Sequence, residues 1–383
     1  MSGRSRSVTV PPPTPWRRVL HLAALATITM TLVVLWDVGR TGAHPANLLQ
    51  PGTDGPAAAL IARDFPDIEP PTGLGLDGQQ YYAMARAGLH LDAASSSLDR
   101  PIYRWQRPLF PWLARVLHPG AGGGAGLVAA FFVIGVAALF LGGVAAGWFA
   151  TALGGRPWPA ALVPLLPGAW MSLRVTMADA LGMSLVLVAL ALSLRRRPAL
   201  AVVVGSLAVL TRETAVVVLV GWAVAHRSKA TALLAAVPAA VAAAWALWLR
   251  LALPAGPPEK VDELGIPFAG LVGAVREHWL TGTNRLGMLS TVLALALAAA
   301  ALWRTGRRHP LVPALWCNLA FVTVMNHNVV GIDFGATRSM LPLTVCALVT
   351  LATPQARVER RAPLQLVAGI DGPALVSGGA PKR

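Results

Sequence analysis

Continuous apolar runs, interrupted by short clusters of charge, dominate the chain. A membrane-spanning helix needs about 20 apolar residues. Runs near that length occupy 19–36, 126–150, 230–249, 286–303, 310–327 and 338–353, and shorter ones lie at 158–173, 180–194, 198–210 and 214–226. None shows the alternating ten-residue pattern of a membrane β-barrel. The expectation is an all-α polytopic membrane protein of about ten transmembrane or half-membrane helices.

Charged residues decide how the shorter runs are read. One continuous helix over 198–226 would place Arg212 and Glu213 near the bilayer centre, at about 2.5–3.5 kcal/mol for each charge. It would also put Arg195–Arg197 and Arg227/Lys229 on opposite sides. Two short helices meeting at a charged turn avoid both problems. The same reasoning splits 158–194 at Arg174 and Asp179.

Composition agrees with a membrane class. Of 383 residues, 55% are hydrophobic and 13% charged, against about 25% charged in soluble domains. The net charge of +15 raises the question of nucleic acid, but the basic residues sit in short clusters between apolar runs, as the positive-inside rule produces. With both termini cytoplasmic, the predicted inner parts hold 18 of the 32 basic residues and only two acids, Glu359 and Asp371. The partner expected from this pattern is therefore membrane lipid, with no nucleic acid.

This topology divides the chain into a cytoplasmic basic leader (1–18), a transmembrane domain (19–353) and a cytoplasmic, weakly ordered tail (354–383). The first apolar run lacks a following cleavage site and reads as a retained helix. A large outer loop spans 37–107 and a smaller one 250–285. Cys317 and Cys346 lie in apolar segments and are expected to be packing residues. Trp16, Trp36, Trp158, Trp222, Trp248 and Trp303 flank spans and are expected as interface anchors. Arg outnumbers Lys by 29 to 3, a bias that fits a GC-rich bacterial genome and a bacterial cytoplasmic membrane.

The first outer loop concentrates unusual residues. It holds all three tyrosines, Tyr81, Tyr82 and Tyr103, and seven carboxylates besides Asp37 at its edge. Its centre reads Asp77-Gly-Gln-Gln-Tyr-Tyr, followed later by Tyr103-Arg-Trp-Gln-Arg-Pro108. Asp and Gly are turn residues, so the plain reading is a turn that opens a surface helix. The functional reading places Asp77 on the first turn of that helix, at the membrane boundary, as a base for a hydroxyl proton. Such a base stays ionised near neutral pH, yet partial desolvation lifts its basicity above the ordinary value of about 3.9. Gln79, Tyr81 and Tyr82 would line the same cleft.

Asp77-Gly-Gln-Gln-Tyr-Tyr in a first outer loop, with Tyr103-Arg-x-x-Arg107-Pro after it, resembles the GT-C superfamily of membrane glycosyltransferases, in particular a bacterial, mannosyltransferase-like branch. Ser172-Leu-Arg174 with Asp179, Leu210-Thr-Arg-Glu-Thr214 and Arg338-Ser-Met-Leu-Pro342 fit the same pattern, which covers roughly residues 17–353. The resemblance implies a GT-C-like fold with a polyprenyl-phosphate sugar donor and a cell-envelope glycan or glycolipid acceptor at the extracytoplasmic face. It also implies inversion at the anomeric carbon, with Asp77 as catalytic base. A lipid phosphate leaving group calls for cations, and Arg binds phosphate bidentately without deprotonating. The candidates, in order, are Arg212, Arg174, Arg104, Arg107 and Arg338. Tyr103, Asp179 and Glu213 join Gln79, Tyr81 and Tyr82 as acceptor or sugar contacts.

Arg212 leads because an ionisable residue inside the membrane is by default functional; the plain alternative is a structural pair with Glu213 or Asp179. Asn326, His327, Asn328 and Asp333 form another polar cluster, read as interfacial hydrogen bonding because a metal needs three or more ligands. No cofactor and no metal are expected. A transporter or lipid flippase with Arg212 and Glu213 on its path, or a non-catalytic scaffold of the same fold, are the alternatives. Broken helices fit transport, whereas the absence of an internal repeat does not.

Overall fold

In the computed structural model the described residues are 16–120, 122–254, 264–305 and 309–353, and apart from one bridge between Leu264 and Met325 their regular structure is helical. Most of the leader, the tail and 255–263 of the second loop lie outside them. The chain opens with α1 (Trp16–Arg40) and continues through α2 (Ala58–Asp64), α3 (Asp77–Ala87), α4 (Leu91–Ser95), α5 (Pro101–Trp105) and α6 (Leu109–Leu117). Next come α7 (Ala125–Ala152), α8 (Pro159–Leu162), α9 (Pro167–Arg174), α10 (Asp179–Leu194), α11 (Pro198–Thr211), α12 (Ala215–His226) and α13 (Lys229–Ala252). After α14 (Ala269–Gly273) and a π-helical turn over Ala274–Trp279 follow α15 (Arg285–Thr305), α16 (Val312–Val324), α17 (His327–Gly331), α18 (Asp333–Ser339) and α19 (Leu341–Ala352).

Four of these, α1, α7, α13 and α15, are long and apolar enough to cross a bilayer, and α18 with α19 makes a fifth if their 41° bend is counted as one broken span. α10, α11, α12 and α16 are apolar but shorter. The ten segments expected from hydropathy are thus four or five helices of spanning length plus shorter pieces. Proline explains one shortfall: Pro159, Pro164 and Pro167 divide 158–173 into α8, a 3₁₀ turn and α9, since a proline inside a helix removes a backbone donor and clashes with the preceding turn. The outward faces of the long helices stay apolar, with Leu25, Ile28 and Leu32 on α1 and Leu233 and Leu247 on α13 exposed, as lipid-facing surface requires.

The breaks fall at the charges. α9 ends at Arg174 and α10 begins at Asp179; α11 ends at Thr211 and α12 begins at Ala215. One end of the bundle therefore gathers Arg174, Asp179, Arg212 and Glu213. The other gathers the basic turns: Arg195 stacks over Trp148 near the end of α7, and Trp222 of α12 donates to Ser193 at 3.1 Å. Trp222 is fully buried between Phe149 and His226. The expected interface anchor is a core residue, because α12 is covered by α10, α13 and α16. Small residues let α7 and α10 approach, and Ser184 donates to the Ala138 carbonyl at 2.7 Å, a contact of the kind that holds helices together in lipid. Cys346 is buried and Cys317 partly so; neither forms a disulfide.

The loop between α1 and α7 folds into a cap on the charged end. Residues 77–85 of α3 are all buried, packed against α4, α5, α6 and α7. The expected surface helix is therefore an interior one. Its first residue, Asp77, instead of meeting water, meets guanidinium groups.

Candidate functional site

Asp77 is the first residue of α3, where the helix dipole favours negative charge. The following Gly78 permits this seat: a Cβ there would strike the Val175 carbonyl and lie 2.7 Å from the Leu49 carbonyl. Both oxygens of Asp77 are held by arginine. Arg104, from the last turn of α5, pairs with Oδ1 at 2.7 Å, and Arg338 of α18 donates to Oδ2 at 2.5 Å. Arg104 is fixed in turn by Asp99, through Nε at 2.8 Å and Nη2 at 2.7 Å. Asp99, five residues before Arg104, is a partner that no motif in the sequence marks.

Electrostatics at Asp77 run against expectation. Burial alone pushes the carboxyl upward, but the charges of Arg104, Arg338 and Arg107 outweigh it and hold the group well below the usual carboxylate range. Asp99 is also lowered, burial being overcome by its bonds to Arg104. Asp77 is thus firmly ionised and weakly basic while both arginines stay on it. The heightened basicity expected from desolvation is absent, because desolvation did not come without countercharge.

A second group lies beside the first. Arg107 makes a two-point pair with Glu213, at 2.7 Å and 2.5 Å, and its Nη2 also donates to the Tyr103 hydroxyl at 2.6 Å. Tyr103 is a hub for cations, with Arg100, Arg104 and Arg107 at 4.1, 5.4 and 4.5 Å from its ring centre. Arg212 meets Asp179 at 3.1 Å. Of the two structural pairs weighed from sequence, Arg212–Asp179 is the one present, and Glu213 belongs to Arg107. Asp179, Arg212 and Arg338 line a narrow cleft of about 30 Å³, flanked on its apolar side by Met183, Phe321 and Met325.

The cleft region holds unspent hydrogen-bonding capacity. Arg212 Nη1, Asp179 Oδ2, Arg338 Nε, Arg107 Nη1 and the Tyr81 hydroxyl are buried and have no hydrogen-bond partner among the described residues. Each such group costs about 1–3 kcal/mol, more when charged, and the three of them that line the cleft, on Arg212, Asp179 and Arg338, mark a place suited to a polar ligand. Burial drives the Tyr81 hydroxyl up from its ordinary value, and the charges of Arg107, Arg212, Asp179 and Asp77 all act on it.

Three candidate residues stand elsewhere. Arg174 donates to Asp37 at the end of α1 at 2.5 Å and to the Asn47 carbonyl at 2.8 Å, bracing loop against helix. Tyr82, fully buried, donates to Asp64 at 2.7 Å and accepts from Gly124 N at 2.5 Å, and Arg86 joins Asp64 at 3.2 Å. Gln79 donates to the Leu74 carbonyl at 2.5 Å and shapes the loop over α3. The structure brings together Asp77, Arg104, Arg107, Arg338, Arg212, Asp179, Glu213, Tyr81 and Tyr103, and seats Arg174, Tyr82 and Gln79 in the scaffold around them.

In the polar cluster near α17, Asn326 caps that helix by accepting from Asn328 N at 3.0 Å, and Asp333 accepts from Gly287 N at 2.7 Å. His327 pairs with Glu277 at 3.2 Å. Compared with protein-family models, curated proteins and solved structures, the chain matches none.

Proposed function

We propose that this chain is an integral membrane glycosyltransferase of GT-C type, moving a sugar from a polyprenyl-phosphate donor to a glycan or glycolipid acceptor, with Asp77 as base. The observation that carries this reading is the doubly clamped Asp77 beside a cleft whose Arg212 and Arg338 keep donors unspent. In this reading the charged end faces away from the cytosol, since the basic turns occupy the opposite end.

Arg338 links the two parts, because it holds Asp77 and also lines the cleft. A donor phosphodiester entering beside Arg212 competes for that guanidinium. As Arg338 turns toward phosphate, Asp77 loses one of its two cations and its basicity rises. Donor binding thereby unmasks the base. The acceptor hydroxyl gives its proton to Asp77 while its oxygen bonds to the anomeric carbon, and the bond from that carbon to the phosphate oxygen breaks. The phosphate leaves with one more negative charge, which Arg212 and Arg338 neutralise.

The test is transfer of a radiolabelled sugar from its polyprenyl phosphate into acceptor lipid or glycan, in membranes containing the wild-type chain or Asp77→Asn at matched levels. Transfer that requires the wild-type chain and disappears in the variant supports the reading. Equal transfer by both removes Asp77 as base, and no transfer from any of a panel of prenyl-linked sugars overturns the enzyme assignment in favour of transport.

A further inference from the structure

A second constellation lies away from Asp77, where the loop after α13 meets α17. The turn over Ala274–Trp279 is π-helical, a rare geometry often found at functional sites. Trp279 Nε1 donates to the Gly331 carbonyl at 3.1 Å, which fastens this turn to the end of α17. The rings of His278 and His327 then face each other nearly parallel, with centres 5.6 Å apart and 24° between planes. Glu277 Oε2 lies 3.2 Å from His327 Nε2.

Each of the three residues offers one ligand atom, and all three atoms fall within 4.8 Å of one another. The backbone makes room for both imidazoles. A Cβ on Gly331 would collide with the His278 ring, and one on Gly273 would come within 2.8 Å of His327 Cβ. His278 Nε2 is buried and has no hydrogen-bond partner among the described residues. An ion pair between His327 and Glu277 accounts for neither the orphaned nitrogen nor the parallel rings.

We propose that Glu277, His278 and His327 bind a divalent transition-metal ion of the zinc class. Two imidazoles and one carboxylate form a borderline donor set that suits zinc and disfavours magnesium or calcium, which take oxygen ligands. Bonds of about 2.0–2.1 Å in tetrahedral geometry set ligand atoms roughly 3.3 Å apart. The Glu277–His327 pair already has that spacing, and rotation of the exposed Glu277 side chain and the half-buried rings closes the rest. Three protein ligands leave a fourth position for water or a ligand group. The ion would bridge the loop and α17, bracing the segment that leads into α18 and Arg338.

This inference is independent of sugar transfer. Its test uses the full chain without a polyhistidine tag, purified in detergent, stripped with chelator and titrated with zinc chloride by calorimetry, with bound metal measured after desalting. One zinc per chain, a rise in melting temperature on loading and no comparable response to magnesium are expected. Glu277→Gln and His327→Ala each weaken binding by at least about tenfold. Glu277 is exposed, so its variant keeps the fold and separates lost ligation from lost structure. No saturable zinc binding, or stoichiometric binding that survives both substitutions, overturns the site.

Discussion

At Asp77 both carboxylate oxygens are taken by arginines, whereas at Asp179 one oxygen meets Arg212 and the other has no partner. The two acids lie at the same end of the bundle and are comparably buried. Their supports differ. Asp77 is presented by a loop that folded inward, and its cations arrive from α5 and α18, which sequence separation leaves free to converge on it. Asp179 and Arg212 sit at the breaks of α9–α10 and α11–α12, where short helices fix their backbones and allow one contact. The saturated site stores a charge, and the slack site has capacity to receive one. A ligand anion is drawn to the slack side first, and Arg338 transmits its arrival to Asp77.

Substitution at the two sites separates these roles. Asp77→Asn lowers turnover by about 10³-fold or more, within the range for loss of a general base together with its charge, and does not weaken donor binding, because it removes the competitor for Arg338. Arg212→Gln lowers turnover less, by about 10²-fold, and also raises KM, since Arg212 holds phosphate in both ground and transition states. Transfer kinetics with varied donor read both. If Arg212→Gln alters only turnover and Asp77→Asn only KM, the roles are reversed.

A smaller effect lies in the pH dependence. A depressed folded-state pKa means that the Asp77 ion pairs contribute fully above the ordinary value of about 3.9 and fade only as pH falls through the lowered one. The acid limb of kcat/KM, which reports the free enzyme, therefore lies below about pH 3.9 as far as Asp77 governs it. The limb of kcat reports the donor complex, in which Arg338 has turned away, and lies at higher pH. Coincident limbs would show that donor binding leaves the clamp on Asp77 untouched.

The sequence made the helix breaks legible because a charge in an apolar run has few places to go: Arg174, Asp179, Arg212 and Glu213 mark the turns that the fold uses. Partner choice was harder to read. Glu213 is adjacent to Arg212, yet it pairs with Arg107 more than a hundred residues away. Asp99 anchors Arg104 through a short loop whose course no periodicity announces. The interior seat of α3 was hidden for a related reason. Its string of Gln and Tyr reads as a wet face until the capping loop supplies partners for Gln79, Gln80 and Tyr82 and buries Tyr81. The Glu277, His278 and His327 triad is not legible in the sequence, because the first two meet His327 only through a π-turn.

The two adjacent tyrosines carry the comparison down to single hydroxyls. Tyr82 is saturated like Asp77, bonded to Asp64 and Gly124, whereas Tyr81 is slack like Asp179, buried with no partner. Tyr82→Phe is expected to cost about 1–2 kcal/mol of stability, because Gly124 N and Asp64 each lose a bond, with transfer by the folded fraction unchanged. Tyr81→Phe removes an unsatisfied group, so stability stays level or rises slightly. If that hydroxyl serves the ligand, KM for donor or acceptor rises several-fold while the protein melts no earlier. Thermal melts in detergent combined with transfer kinetics distinguish the two. A Tyr81→Phe chain with unaltered kinetics would confine the ligand to the Arg212–Arg338 side of the cleft and take Tyr81 out of the site.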